Sequence, residues 1–398
     1  MNSISVYNED WIPVVCALCS LPSALCPMPY AEEPKLMVRN RRLLPLDALI
    51  FDMDGVLIDV SKSYREVIRR TVHLYLSEGL GLKVRRTGPV TQEAISLFKS
   101  AGGFNNDWEL TSAVLLWLIS GSSLPPFLKA RNFSNIQETV RYLRKKASEL
   151  PGQTVRVWRS TASSHFLEEV RSSGGGLQGV RRALKKTRNG SWDGWVYGQE
   201  SLDQGNLVQR IFQEVYLGNQ FERHYRLPTL FYHGSGYYLR EKLLIPRQIL
   251  KALHKKCRLG IATGRPRFEA ELALKRFQIG ACFDTVVTLD ECQAEERRLL
   301  ETSERRARRT KPHPYSLLRA IQEVGLSSPR CGYVGDTVDD MRAARSAGRN
   351  VNVLAIGFLR DQRDRDLQKT SLFEAGAKHV IERPEDLLGL SCPRLPTS

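Results

Sequence analysis

The sequence has no uninterrupted apolar run long enough to cross a bilayer. Its most apolar early stretch, WIPVVCALCSLPSALCPMPY at 11–30, is broken by Pro13, Pro22, Pro27 and Pro29, and proline interrupts the helix that a span requires. Glu9 and Asp10 precede it in place of a basic segment, which argues against a secretory signal. Spaced metal-ligand pairs are missing too. The seven histidines, among them His165, His224, His233 and His313, show no ligand spacing, and Cys16, Cys19 and Cys26 have no second pair to work with. A zinc site is therefore not expected. Nor is a disulfide framework: Cys257, Cys282, Cys292 and Cys331 sit singly in or beside apolar runs, where a reduced cysteine behaves as a small hydrophobe. A reducing compartment fits best, the cytoplasm, or an organelle if residues 1–43 are a targeting segment. Residues 1–43 otherwise read as a disordered extension.

Acidic residues are in deficit. There are 43 Asp and Glu against 59 Lys and Arg, a formal net charge of +16. Such a surplus favours nucleic acid, anionic lipid or phosphorylated ligands. No basic run shows the aromatic interleaving of an RNA-binding module, so nucleic acid and membrane are not the expected partners. At 398 residues the chain has room for two domains, or for one with a large insertion.

What is present is alternation. LDALIFD reads as a buried strand, followed later by CRLGIATG, DTVVTLDE, CGYVGD, VNVLAIGF and KHVIE. Helical-period segments such as FEAELALKRFQ and VDDMRAARSAG separate them. This predicts an α/β fold, a Rossmann-like three-layer core with a parallel sheet, at 44–59 and 247–392. A block of mainly helical pattern, 60–246, interrupts it after the first strand and reads as a large α-helical cap. Its middle, 141–188, carries twelve basic residues against three acids and reads as a mobile basic loop flanked by helices. AEERRLLETSERRARRT reads as a solvated helix laced with charge pairs.

Four short motifs fall at strand ends or close by: DMDGV with Asp52 and Asp54, IATGR with Thr263 and Gly264, KPHP with Lys311, and GDTVDD with Asp336 and Asp340. Each alone is common in turns. Together they supply the parts that moving a phosphoryl group needs. Asp52 is the candidate nucleophile and a metal ligand. Asp54 is the candidate general acid and base, its backbone carbonyl toward the metal. Asp336 ligates the metal directly, and Asp340 holds a metal-bound water or fixes the lysine. The expected ion is Mg²⁺, with Asp52, Asp54, Asp336 and Asp340 as its metal set. Thr263, the Gly264 amide and Lys311 hold the phosphoryl oxygens.

This set resembles the haloacid dehalogenase superfamily, in its phosphoglycolate-phosphatase-like branch with a helical cap inserted after the first motif. The resemblance covers about 46–390 and is strongest in the four motifs; LREKLLIPRQILKALHKKCRLGIATGRP and VGDTVDDMRAARSAG are similar to such relatives beyond the catalytic positions. It implies an Mg²⁺-dependent phosphomonoester hydrolase acting on a small phosphorylated metabolite through an aspartyl-phosphate. A phosphomutase uses the same core residues, and a non-catalytic anion- or nucleic-acid-binding module on the same fold is the other reading. GGFNNDW looks like a cap motif of a smaller subfamily. It offers Asn105, Asn106 and Asp107 to a substrate, or Asp107 as a helix N-cap. Arg265 either contacts an anionic substrate or makes a structural ion pair. GGGLQG follows no strand, so it is not read as a dinucleotide site. Trp192, Trp195, Tyr237 and Tyr238 read as cap core.

Overall fold

The computed structural model describes residues 46–85, 88–104, 106–128, 132–150, 160–198, 201–302, 308–327, 329–359 and 365–390. Cys16, Cys19, Cys26, Asn105 and the 1–43 extension lie outside them. Among the described residues, eight strands form two sheets: β1 (Ala48–Phe51), β2 (Ile58–Asp59), β3 (Lys242–Leu243), β4 (Arg258–Ala262), β5 (Thr285–Val287), β6 (Cys331–Gly335), β7 (Val353–Phe358) and β8 (His379–Ile381).

Six of them make one parallel sheet in the order β5-β4-β1-β6-β7-β8. β1 is central and wholly buried, which is why its sequence is an unbroken apolar run rather than an alternating one. Successive side chains still part to opposite faces. Leu49 and Phe51 pack with Ile249, Leu253 and Ala273, whereas Ala48 and Ile50 pack with Leu317, Ile321 and Met341. The sheet's order reverses at β1, the place where open α/β sheets bind ligands. Register brings Phe51 beside both Ile261 and Val334, so the residues that follow β1, β4 and β6 emerge together.

Helices α1 (Tyr64–Leu74), α2 (Gln92–Ser100), α3 (Asp107–Ser120), α4 (Ile136–Ser148), α5 (Ser160–Ser172), α6 (Gly176–Arg188), α7 (Leu207–Leu217) and α8 (Gln220–Tyr225) lie between β2 and β3. They share a hydrophobic cluster of their own that runs from Tyr64 to Phe221. α3 is apolar all round and buried from Leu110 to Ser120, as a helix at the centre of a bundle must be. The chain leaves for this segment and returns side by side: β2 and β3 pair antiparallel, Ile58 with Leu243 and Asp59 with Lys242. Both strands are two residues long, too short to read from the sequence. The remaining helices are α9 (Arg247–His254), α10 (Arg267–Phe277), α11 (Leu289–Thr302), α12 (Tyr315–Glu323), α13 (Val338–Ala347), α14 (Arg365–Ala375) and α15 (Asp386–Gly389).

Two expectations are corrected. The strand read over 284–291 ends at Val287, and Leu289 opens α11. The reason is local: Glu291 accepts from both the Thr288 amide at 2.7 Å and its hydroxyl at 2.6 Å, the acid of a Thr-x-x-Glu helix start. Nor is 141–188 a loop through its middle. α5 and α6 occupy 160–188, and α6 buries Val180, Ala183 and Leu184 while its Lys185 and Lys186 face solvent. The glycine run between them is a turn built for close approach. Gly175 has a φ of 68° and a Cβ there would sit 2.7 Å from the Gly102 carbonyl, while the Gly176 amide donates to that carbonyl at 2.8 Å. The glycines of GGF and GGG therefore pack backbone against backbone.

Candidate active site

β1 delivers Asp52, whose amide donates to the Val334 carbonyl at 2.8 Å and ties the site to β6. The chain then turns on Gly55, at a φ of 81°, a conformation that favours glycine. A Cβ at Gly55 would overlap the Asp336 carboxylate, so the turn is also a cradle for that side chain. Asp336 follows β6, and Asp340 sits in the first turn of α13. Asp52, Asp336 and Asp340 each bring a carboxylate oxygen within 4.8 Å of the others.

Lys311 joins them from the segment before α12. Its Nζ lies 2.7 Å from Asp52 Oδ1 and 2.8 Å from Asp340 Oδ1. Asp340 is fully buried and heavily bonded. Its Oδ1 also accepts from the Tyr333 hydroxyl at 2.9 Å, and its Oδ2 accepts from the Thr337 amide at 3.1 Å and hydroxyl at 2.6 Å. Thr337 and Asp340 form the capping box of α13. Of the two roles expected of Asp340, these contacts match fixing the lysine.

Three carboxylates against one ammonium leave negative charge in excess. Burial, with Asp340, Asp54 and Asp336 adding to it and Lys311 opposing it, pushes the Asp52 carboxyl up to about 8. Asp340 goes the other way: burial would raise it, but Lys311, Thr337 and Tyr333 hold it below the usual carboxylate range. Lys311 stays well above its ordinary value because Asp340 and Asp52 outweigh its own burial. A crowded set of hard oxygen donors, one of them kept from ionising chiefly by burial and further by its acidic neighbours, is chemically suited to a divalent cation.

Asp54, expected to face the metal through its backbone carbonyl, turns its carboxylate to Arg265, whose Nε donates to Asp54 Oδ1 at 2.5 Å; that carboxylate is not one of the three clustered acids. Thr263 lies beside Asp52 on the sheet edge; its amide donates to the Val287 carbonyl at 2.9 Å, and its Oγ1 accepts from the Arg265 amide at 3.2 Å. Gly264 faces open space where a side chain would stand, leaving room for a ligand over the turn.

The Arg265 guanidinium is buried and paired within the protein. It is 1% exposed. Beyond Asp54 it donates to the Tyr216 hydroxyl at 3.1 Å and to Glu241 at 3.0 and 3.4 Å. Asn106 is likewise committed: it is the N-cap of α3, its Oδ1 accepting from the Glu109 amide at 2.7 Å. Asp107, read from the sequence as that cap, is instead the first helical residue, 3.9 Å from Lys99. Asn105 lies outside the described residues. No local pattern marks Tyr333, Tyr216 or Glu241, whereas the Thr-x-x-Asp spacing of Thr337 and Asp340 is legible as a helix start.

The family model of haloacid dehalogenase-like hydrolases matches residues 217–348, which include Thr263, Lys311, Asp336 and Asp340. The chain is 32% identical over 124 residues, 31% of its length, to a protein named imidazoleglycerol-phosphate dehydratase from Phytophthora nicotianae, and covers 23% of that protein. It is 39% identical over 77 residues, 19% of its length, to the phosphoglycolate phosphatase of Xylella fastidiosa, and covers 32% of it. The matches thus span a third or less of these relatives. A solved structural-genomics target superposes with a TM-score of 0.53 at 18% identity, over 87% of this chain and 98% of that one, and shares the fold.

Proposed function

We propose that this chain, a member of the haloacid dehalogenase-like hydrolases, hydrolyses a small phosphomonoester through a phosphorylated Asp52. The observation that carries the reading is the meeting of Asp52, Asp336 and Asp340 within 4.8 Å, with Lys311 paired to two of them. Asp52 and Asp336 would hold a divalent cation, Mg²⁺ by preference. Its chemistry is to neutralise the repulsion between a carboxylate and a phosphate.

The chain's own residues divide the work. An oxygen of Asp52 attacks phosphorus as the ester P–O bond breaks, and Asp54 gives its proton to the departing oxygen. Asp54, now a carboxylate, then takes a proton from water. That water's oxygen attacks the phosphorus of the aspartyl-phosphate, releasing phosphate and restoring Asp52. The Thr263 hydroxyl and the Gly264 amide bind phosphoryl oxygens, and Lys311 adds positive charge where negative charge accumulates. Lys311 also opposes the burial that raises the Asp52 carboxyl to about 8, so it favours the anion that attacks.

Residues 60–246 act in this reading as a cap over a core of 44–59 and 247–392. The β2–β3 ribbon supports it, because the chain leaves and returns at one place beside the Asp52 turn. Cap residues Tyr64 and Gln213 bond Glu269 of α10, giving the cap a seat on the core. A seated cap excludes bulk water and selects the substrate.

The test is phosphate release across phosphoglycolate, sugar phosphates, nucleotides and pyrophosphate, with Mg²⁺ and with EDTA. Release from at least one small ester, lost with EDTA, supports the reading. No release from any of them, or transfer to a sugar hydroxyl in place of water, overturns it.

A further inference from the structure

Arg265 occupies an unusual electrostatic position. It follows the proposed phosphate-binding turn in sequence, yet it is 1% exposed. One edge meets Asp54, Nε to Oδ1 at 2.5 Å. The other meets Glu241, with Nη2 to Oε1 at 3.0 Å and Nη1 to Oε2 at 3.4 Å. Nη1 also donates to the Tyr216 hydroxyl at 3.1 Å, and the guanidinium carbon stands 5.1 Å from the centre of the Tyr64 ring. Tyr64 and Tyr216 stack on each other at 4.7 Å.

These partners come from different parts of the chain. Asp54 belongs to the turn after β1, Arg265 to the turn after β4, Tyr64 to α1, Tyr216 to α7, and Glu241 to the residue before β3. Glu241 is itself fixed, accepting from the Ser63 hydroxyl at 3.2 Å and the Tyr216 hydroxyl at 3.0 Å. A planar guanidinium held along one edge by Glu241 has no freedom to swing. The direction of its Nε–H is therefore set by the helical segment and its return strand. Asp54 is the less buried member, its side chain 28% exposed, and depends on that N–H for its orientation.

We propose that Arg265 is a positioning residue that aims Asp54, and that the helical segment, through Tyr216 and Glu241, sets the aim. The inference rests on the reading of Asp54 as proton donor to the leaving oxygen. Its consequence is that seating of the helical segment and delivery of the proton are one event. A carboxyl group fixed in this way delivers its proton only when α1, α7 and the return strand are in place, so an ill-fitting ester that leaves the segment unseated finds no proton.

The experiment compares kcat/KM for an alkyl phosphate substrate found in the panel with that for p-nitrophenyl phosphate, using full-length protein with Mg²⁺. kcat/KM reports events up to departure of the leaving group. An alkoxide needs a proton to depart, whereas p-nitrophenolate leaves as the anion. Asp54→Asn sets the scale, and the alkyl-to-aryl ratio should fall by roughly 10²-fold, the lower range of general acid catalysis. Arg265→Met should lower the same ratio by a comparable factor, Tyr216→Phe by less in the same direction, and Arg265→Lys should recover little because it lacks the two-edged fork. Tyr216→Phe keeps the buried charges paired, and so reports even if Arg265→Met fails to fold. Equal losses on both substrates in the Arg265 and Tyr216 variants, or an unchanged ratio, overturn the positioning role while leaving the phosphatase reading intact. An unchanged ratio in Asp54→Asn removes the proton-donor role and this inference with it. Absence of phosphate release by the unsubstituted protein is the separate outcome that defeats the proposed function.

Discussion

Lys311 Nζ stands 2.7 Å from Asp52 Oδ1 at the edge of the sheet, its side chain 15% exposed, an ammonium directly against the proposed nucleophile. Because Asp340 holds the same ammonium at 2.8 Å, one cation serves two carboxylates. Lys311→Met leaves both without it. Removing one partner of a buried ion pair costs about 3–5 kcal/mol, and urea unfolding without divalent cation should show a loss of that order. Added Mg²⁺ should recover part of it if the acids bind the ion. Phosphate release should fall on the order of 10²-fold or more. Unchanged stability and turnover would show that the pairing matters to neither.

Glu269 predicts a pH dependence of stability away from the reaction. Burial raises its carboxyl to about 7, against hydrogen bonds from Tyr64 and Gln213 and the charge of Arg265, with Asp54 pushing it further up. The folded protein thus holds a proton that the unfolded chain releases near its ordinary value of 4.5. The stability this contributes is present below about pH 4.5 and is lost as the pH rises to about 7. The loss amounts to roughly 3–4 kcal/mol. Glu269→Gln keeps a neutral hydrogen-bonding group there, so its unfolding free energy relative to the unsubstituted protein should improve between pH 5 and pH 8. No differential change across that range would contradict the buried, protonated carboxyl.

Gly55→Ala tests the cradle under Asp336. The backbone φ of 81° strains any side chain, and a Cβ meets the Asp336 carboxylate. Stability should drop by about 1–2 kcal/mol, and turnover should fall further than that loss explains because Asp336 is displaced. Normal kinetics at saturating Mg²⁺ would show that the carboxylate can move without consequence.

Asn106 separates helix capping from substrate contact. Its Oδ1 already accepts from the Glu109 amide at 2.7 Å, so Asn106→Ala should cost about 1 kcal/mol of stability and Asn106→Asp should restore it. KM should follow neither change. A large rise in KM with stability intact would give Asn106 back the substrate role that its sequence context suggested.

How much of this was legible in the sequence depended on distance along the chain. Asp52, Thr263 and Asp336 follow short apolar runs, and a parallel sheet brings such strand ends together whatever lies between them. Lys311 could be assigned only by its motif, yet it reaches Asp52 across an intervening helical insertion. Arg265 could not be resolved, because Tyr216 and Glu241 come from the inserted helical segment and its return strand. No local pattern announces a pairing of that separation. Asn106 and Asp107 are both good N-caps, so a one-residue choice between them turned on backbone geometry. The run at 174–176 reads as a loop from its own glycines, because the second pair that they pack against, Gly102 and Gly103, lies about seventy residues away in the sequence.

The most direct measurement is phosphate release by Asp52→Asn beside the unsubstituted protein, on the best substrate of the panel at saturating Mg²⁺, with circular dichroism confirming that both are folded. Loss of the nucleophile should reduce kcat on the order of 10⁴-fold. Release by a folded Asp52→Asn at a rate close to the unsubstituted protein's would contradict the aspartyl-phosphate and the account built on it.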